Sequence, residues 1–460
     1  MRPSLRTSLL YGLAAAATAL AAAKKVRDAW VYAEAADPAS ASDSLPLYLG
    51  ARAVSQGLDP TDQATLEAVY AAADINVTKA LFSVLYPPSI HVLLQPIAEL
   101  SHYGFLYYWR LALLGVLILG MAAAGTVGLS RTRAPLGAAL GVFGAFAFFP
   151  LFVDVQLGLG QPNVIIVGLF GLAMGASAWG ANALAACAAV VGTAIKLVPA
   201  IVFWPMLWAR RWRGLGAAAV LGALGLGITV AHVPIGRIMA NLADTLAFQQ
   251  TVEPHWLHVP SLPDWGRFVG YLRRPALMLM SLGLSGYAVW SNRANPGRRR
   301  EATAVSIGLL ATALAADSAG VGAYYATMAM PGMAVLVSWP LAARAGRLAW
   351  LGLPASATVL WMTDGGLIYN TPDVELKLVL SCCVMWAVIA LRLLLLARPW
   401  SRRAIAGVTL AVMLATAHAS LWTWRPPFRG HKTLPEAAPG SMTTPDAPPM
   451  APLPHDGTPR

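Results

Sequence analysis

Asp43 stands in a polar stretch, ASDSLPLYLGARAVSQGLDPTD from Ala41 to Asp62, that also offers Tyr48 and Arg52. A carboxylate on such a loop, just outside a helix end, can accept a proton from a hydroxyl group. It can equally cap a helix running from Ser44 to Gly57. LGLGQPN, from Leu157 to Asn163, sets Gln161 and Asn163 beside two glycines at the start of an apolar helix. Amide donors and close backbone approach suit a sugar or phosphate, and a capped turn would also explain them. Lys196 interrupts the apolar run Ala183 to Trp208. A cation there is expensive in lipid and should face a protein or water-filled interior. With Arg267 and His258 it could neutralise a phosphate, Arg267 as a bidentate donor and Lys196 as a point charge. Taken singly, His255 and His258 read as exposed loop histidines.

These groups must be positioned by a hydrocarbon-soluble frame. The chain has 460 residues, 57% hydrophobic and 12% charged, with mean hydropathy +0.59. This composition belongs to polytopic membrane proteins. The net charge is +12, but the basic residues fall in short clusters between apolar runs. That is the positive-inside pattern, and no nucleic-acid partner is expected. Cys187, Cys382 and Cys383 lie in apolar segments and suggest packing rather than a disulfide framework.

The first helix is expected from about Thr7 to Ala23, uncleaved because the run is long for a signal core. An exported loop follows to Lys79, carrying short interfacial helices at Pro46 to Gln56 and Thr61 to Ala73. Leu45, Leu47, Leu49 and Val54 would face lipid or the bundle. In ALFSVLYPPSIHVLLQPIAEL, from Ala80 to Leu100, Pro87-Pro88 forbids helix at Tyr86 and restarts it after the pair. The later apolar runs are Phe105 to Leu129, Pro135 to Val153, Asn163 to Trp179, Ala183 to Trp208, Gly214 to Val233 and Pro275 to Ser291. Ala302 to Ala316, Tyr325 to Ala342, Leu348 to Met362, Leu376 to Leu396 and Ala404 to Trp422 complete them. About 10 to 13 crossings or partial crossings follow.

The basic linkers Arg210 to Arg213, Arg298 to Arg300, Arg344 to Arg347 and Arg398 to Arg403 should be cytoplasmic. By alternation, the first loop, His232 to Arg267, Asp317 to Gly322 and Thr363 to Glu375 share the outer side. The membrane domain is read as 1–423, with the outer loop at 24–79 and a disordered Pro-rich tail at 424–460. The sequence contains no Walker motif, GxSxG elbow or metal-spaced His/Cys cluster. One firm carboxylate is thin ligation for a hard cation, so neither metal nor cofactor is expected.

Asp43, Tyr48, Gly50-Ala51 and Gly57, then Tyr86-Pro87-Pro88 with Pro96, Gly160-Gln161 with Asn163, and Lys196 with Pro199 occur in order. In this ordered set the chain resembles glycosyltransferase family 87, over roughly residues 7 to 420. The resemblance implies an all-α GT-C-type bundle in the bacterial cell membrane. It further implies an inverting transferase using a polyprenyl-phosphate sugar at the periplasmic or extracellular face. The acceptor would be a cell-envelope glycolipid or polysaccharide. Asp43 takes the base position, with Arg267, Lys196 and His258 on the donor phosphate. Tyr48, Arg52, Tyr86, Gln161, Asn163 and Tyr324 would contact substrate. Where many relatives carry a Ser-Trp and His pattern, this chain has Ala323-Tyr324-Tyr325. Tyr cannot carry the positive charge of His, so mannose and other hexoses or pentoses all stay open as the sugar. The rival readings are a lipid or polysaccharide flippase and a noncatalytic subunit of an envelope assembly. The sequence contains no repeated halves such as a transporter would show.

Overall fold

The computed structural model describes residues 4–36, 43–73, 86–251, 264–318, 323–342, 346–362 and 372–397. Among these the chain forms α-helices and short 3₁₀ turns, with no strand. In chain order the helices begin with α1 Leu5–Ala35, α2 Leu45–Ser55, α3 Gln63–Ala72, α4 Pro88–Leu94, α5 His102–Gly125 and α6 Ala134–Phe148. Next come α7 Pro150–Leu159, α8 Asn163–Trp179, α9 Asn182–Ile195, α10 Phe203–Trp208, α11 Trp212–His232 and α12 Ile235–Thr251. The last are α13 Asp264–Ser291, α14 Pro296–Ser318, α15 Met330–Ser338, α16 Gly352–Met362 and α17 Pro372–Ala397. Apolar Ala404 to Trp422 and the tail lie outside the described residues.

By length and composition, α1, α5, α11 and the Leu378–Ala397 part of α17 can each cross a membrane. The pair α6 and α7, bent by 84°, adds a broken span or a re-entrant loop, and shorter apolar helices such as α8 and α9 fill the bundle. This is an all-α, multi-pass membrane protein. Lipid tails are as apolar as leucine, so helix association relies on close packing and interhelical hydrogen bonds. At Gly120, Gly168 and Gly171 an added Cβ would run into the opposing backbone, which brings α5 and α8 into direct contact.

Several elements differ from the sequence expectation, among them the following. α1 continues past Ala23 to Ala35, so Lys24, Lys25 and Arg27 are helical rather than the start of a loop. Ala15, Ala22, Ala29 and Ala33 are its buried residues, and this small-residue stripe lets the helix lie against α6 and α7. The run Ala183 to Trp208 breaks at Lys196, whose backbone is extended, ahead of a 3₁₀ turn at Val198–Val202 that holds Pro199. Proline disfavours helix in the residue before it and removes a donor, so the break falls there. The stretch His232 to Arg267, read as a loop, carries α12 and the start of α13.

α2 is almost wholly buried, including Leu45, Leu47, Leu49 and Val54. α3 keeps most of its surface exposed, and its start is fixed by Asp62, whose carboxylate accepts from the Thr65 amide at 2.9 Å and its hydroxyl at 2.8 Å. Those two donors hold Asp62 below the usual carboxylate range. Asp59, between α2 and α3, pairs with Arg237 of α12 at 3.4 Å. The first loop and the start of α12 therefore lie together.

Candidate functional site

The turn joining α7 to α8 is the base of the site. α7 ends in a Schellman motif: Gly160 takes the left-handed conformation at φ 69°, with Gly160 N–H donating to Leu157 O and Gln161 N–H to Gln156 O. Further bonds to the carbonyls of this turn come from α5. Arg110 donates from Nε to Leu157 O at 3.0 Å and from Nη2 to Gly158 O at 2.5 Å. Trp109 Nε1 donates to Gly160 O at 2.7 Å. A buried cation at a helix C-terminus complements its dipole as well as its orphan acceptors. The turn is thus clamped to α5, and Gln161 and Asn163 project from a rigid support.

Gln161 donates its Nε2 to the Asp43 carboxylate. The N-cap of α2 is Ser44, which makes no side-chain capping bond. Gly160 touches this same point, since a Cβ there would lie 2.7 Å from Ser44 Cβ. Gly160→Ala therefore combines backbone strain with a collision beside Asp43. It should destabilise the protein by about 1 to 3 kcal/mol, seen as a lower unfolding temperature, with a larger fractional loss of activity than of folded protein.

Two residues further on, Asn163 Oδ1 accepts from Lys196 Nζ at 2.8 Å. The ammonium also lies 5.8 Å from the centroid of the Tyr86 ring. Tyr86 precedes α4, and α4 is tied to the end of α9 by Ser89 Oγ donating to Ala194 O at 2.6 Å. Gln161 Oε1 and Asn163 Nδ2 are buried and have no hydrogen-bond partner in the described protein. Unsatisfied buried amide atoms are costly, and their convergence on one turn fits a ligand that completes them.

An apolar groove of about 610 Å³ begins beside this cluster, lined by Pro87, Val92, Val190, Leu221 and Leu226 among others. Ala194 and Pro87 are part of its wall, which brings it to the neighbourhood of Lys196 and Tyr86.

Tyr48 and Arg52 form a separate group on α2. Tyr48 OH donates to Leu100 O at 3.0 Å and accepts from Arg52 Nη1 at 2.8 Å, while its ring packs on His102 and Phe105. The ring of His91 on α4 fills the space that a side chain at Gly50 would need, which seats α2 on α4. His258 lies outside the described residues. Arg267 falls in the first turn of α13 and Tyr324 in the 3₁₀ turn Ala323–Ala329; the side chains of both also lie outside the described residues.

Sequence reasoning did not single out Arg110 or Trp109. Arg110 sits inside the apolar run Phe105 to Leu129, so the cost of charge in hydrocarbon was the available signal. Among the described residues no group of three or more His, Cys, Asp or Glu is arranged to hold a metal ion.

A helical membrane bundle with a carboxylate, two amides and an ammonium gathered where an apolar groove begins defines a membrane enzyme or carrier of an amphipathic substrate. The profile of glycosyltransferase family 87 matches residues 84–317, about half of the chain, and the chain belongs to that family. It is a membrane glycosyltransferase. The matched residues include Gln161, Asn163 and Lys196, and Asp43 precedes them. No curated protein and no solved structure matches the chain.

Proposed function

We propose that the protein transfers a sugar, mannose or another hexose or pentose, from a polyprenyl-phosphate donor to a cell-envelope glycolipid or polysaccharide. The reaction runs at the outer face of a bacterial inner membrane. The observation that carries this reading is the joint presentation of Asp43 and Lys196 by Gln161 and Asn163 of one clamped turn.

Asp43 takes the proton of the acceptor hydroxyl as that oxygen bonds to the anomeric carbon from the face opposite the leaving group. The bond from that carbon to the phosphate oxygen breaks with inversion, and the polyprenyl phosphate leaves with the electron pair. Lys196, with Arg267 and His258, balances the charge that builds on the departing phosphate. Gln161 orients the Asp43 carboxylate, and its free Oε1 with Asn163 Nδ2 suits sugar hydroxyls. In this reading Tyr86 and Tyr324 contact the sugar, and Tyr48 with Arg52 supports the acceptor. The apolar groove suits the first isoprene units of the donor, since its lining is apolar and includes Ala194, near Lys196 in the chain.

Lys196→Met tests the phosphate role. Loss of one charge-assisted contact is worth about 1.5 to 3 kcal/mol, roughly a 10- to 100-fold fall in kcat/KM for the lipid donor. Initial rates across donor concentrations give that value. A kcat/KM within twofold of the parent would remove Lys196 from the donor site.

A further inference from the structure

The end of the bundle that bears the basic linkers holds a second group of charged side chains. Arg211 immediately precedes α11, and Arg299 and Arg300 lie in the first turns of α14. The charges that act most strongly on Arg211 are Arg299 and Arg300, both of its own sign. Arg211 Nε and Nη2 and Arg299 Nε are buried and have no hydrogen-bond partner among the described residues. Gly180, which ends α8 with φ 82°, is overlain by Arg300, whose Cζ would lie 2.9 Å from a Cβ there. Arg300 thus faces the negative end of α8, while Arg211 and Arg299 gain no comparable partner among the described residues.

Positive-inside topology needs basic residues in the linkers, but it does not need them packed together with their N–H groups out of water. Arg211 and Arg299 are half-buried and Arg300 is exposed, so the cost falls on the three buried nitrogens of Arg211 and Arg299, which like charges cannot satisfy and an anion could. The neighbouring tryptophans indicate which anion. Trp208 and Trp212 flank Arg211 in sequence and Trp179 precedes Gly180, and they are 43%, 64% and 56% exposed. Exposed tryptophan beside basic residues marks headgroup depth in a bilayer. α8 has 17 residues between Asn163 and Trp179, about 25 Å of helix, so this cluster is separate from the Asp43 site.

We propose that Arg211, Arg299 and Arg300 bind the phosphate of an anionic phospholipid headgroup at the basic-linker end of the bundle. Planar guanidinium forks suit phosphate oxygens, and three of them on two linkers would pin α11 and α14 to one lipid.

The test uses the full chain in nanodiscs of mixed phosphatidylglycerol and phosphatidylcholine, with retained lipid counted by native mass spectrometry. The parent protein should enrich phosphatidylglycerol about tenfold or more over its share of the bilayer. R211Q/R299Q should lose that enrichment. Arg300→Gln, at an exposed position, should lose a measurable part of it and unfold within a few degrees of the parent. Arg131→Gln, which removes an exposed charge from another linker, should keep it. Equal retention of the two lipids by the parent, or full enrichment in Arg300→Gln together with R211Q/R299Q, overturns the proposal. Unfolding temperature in detergent separates the two phosphate sources. It should rise with added phosphatidylglycerol and not with millimolar inorganic phosphate; an equal rise with both overturns the lipid assignment.

Discussion

Asp43→Asn is expected to lower sugar transfer by roughly 10²- to 10⁴-fold, the usual span for removing a general base. The protein should express and unfold like the parent. Asparagine keeps the shape of the side chain and an oxygen to accept from Gln161 Nε2, so the contact that seats α2 on the α7–α8 turn survives. What is lost is the capacity to take a proton. A helix cap would behave differently: asparagine caps about as well as aspartate, so a purely structural Asp43 predicts an active variant. The N-cap of α2 is Ser44, which already weakens the capping reading. Transfer rates with matched amounts of folded protein decide between them.

The second large effect is on stability. Arg392 on α17 is 1% exposed and donates to Glu301 Oε1 of α14 at 2.9 Å, to Val335 O of α15 at 2.9 Å and to Val127 O after α5 at 3.2 Å. Its guanidinium also lies 5.5 Å from the Trp339 ring centroid. One cation therefore joins four segments, and Gly128, at φ 79°, leaves the room for it, since a Cβ would meet both Glu301 and Arg392. Removing one partner of a buried pair costs about 3 to 5 kcal/mol, because the other charge is left uncompensated. Glu301 retains some contact with solvent, its side chain being 23% exposed, so Arg392→Met should fall near the lower end. Thermal unfolding in detergent should show a large drop for Arg392→Met. The double variant with Glu301→Gln should recover part of it, since the orphaned carboxylate is then gone. Equal stability of Arg392→Met and the parent would remove the pair from the frame.

Much of the frame was legible because hydrocarbon imposes a simple rule of apolar runs. The expected helix at Asn163 to Trp179 is α8, and the two short helices of the first loop are α2 and α3. The breaks were harder to read. Lys196 looked like a charge in mid-run, whereas the chain places it at an extended residue between α9 and a 3₁₀ turn. That position frees its ammonium to reach Asn163. Likewise Pro150 starts α7 after a bend at Phe149 that hydropathy does not register.

At the site, the sequence supplied residue types but not proximity. Gln161 and Asp43 are 118 positions apart and bonded, and only the fold brings them together. Arg110 illustrates the reverse case. Its charge inside an apolar run was a visible signal, and its role, holding the carbonyls of Leu157 and Gly158, emerged only from the Schellman turn that exposes them. The resemblance implies that Tyr48 contacts substrate; its hydroxyl is bonded to Leu100 O and Arg52, which also gives it a part in seating α2.

The most direct measurement follows loss of donor when the purified protein, in liposomes, meets a panel of labelled polyprenyl-phosphate sugars and nucleotide sugars with a glycolipid acceptor. The expected result is turnover of a polyprenyl-phosphate sugar, none of the nucleotide sugars, and none of either by Asp43→Asn. Turnover of a nucleotide sugar instead, or equal turnover of the lipid donor by Asp43→Asn, would contradict the proposed donor or the proposed base.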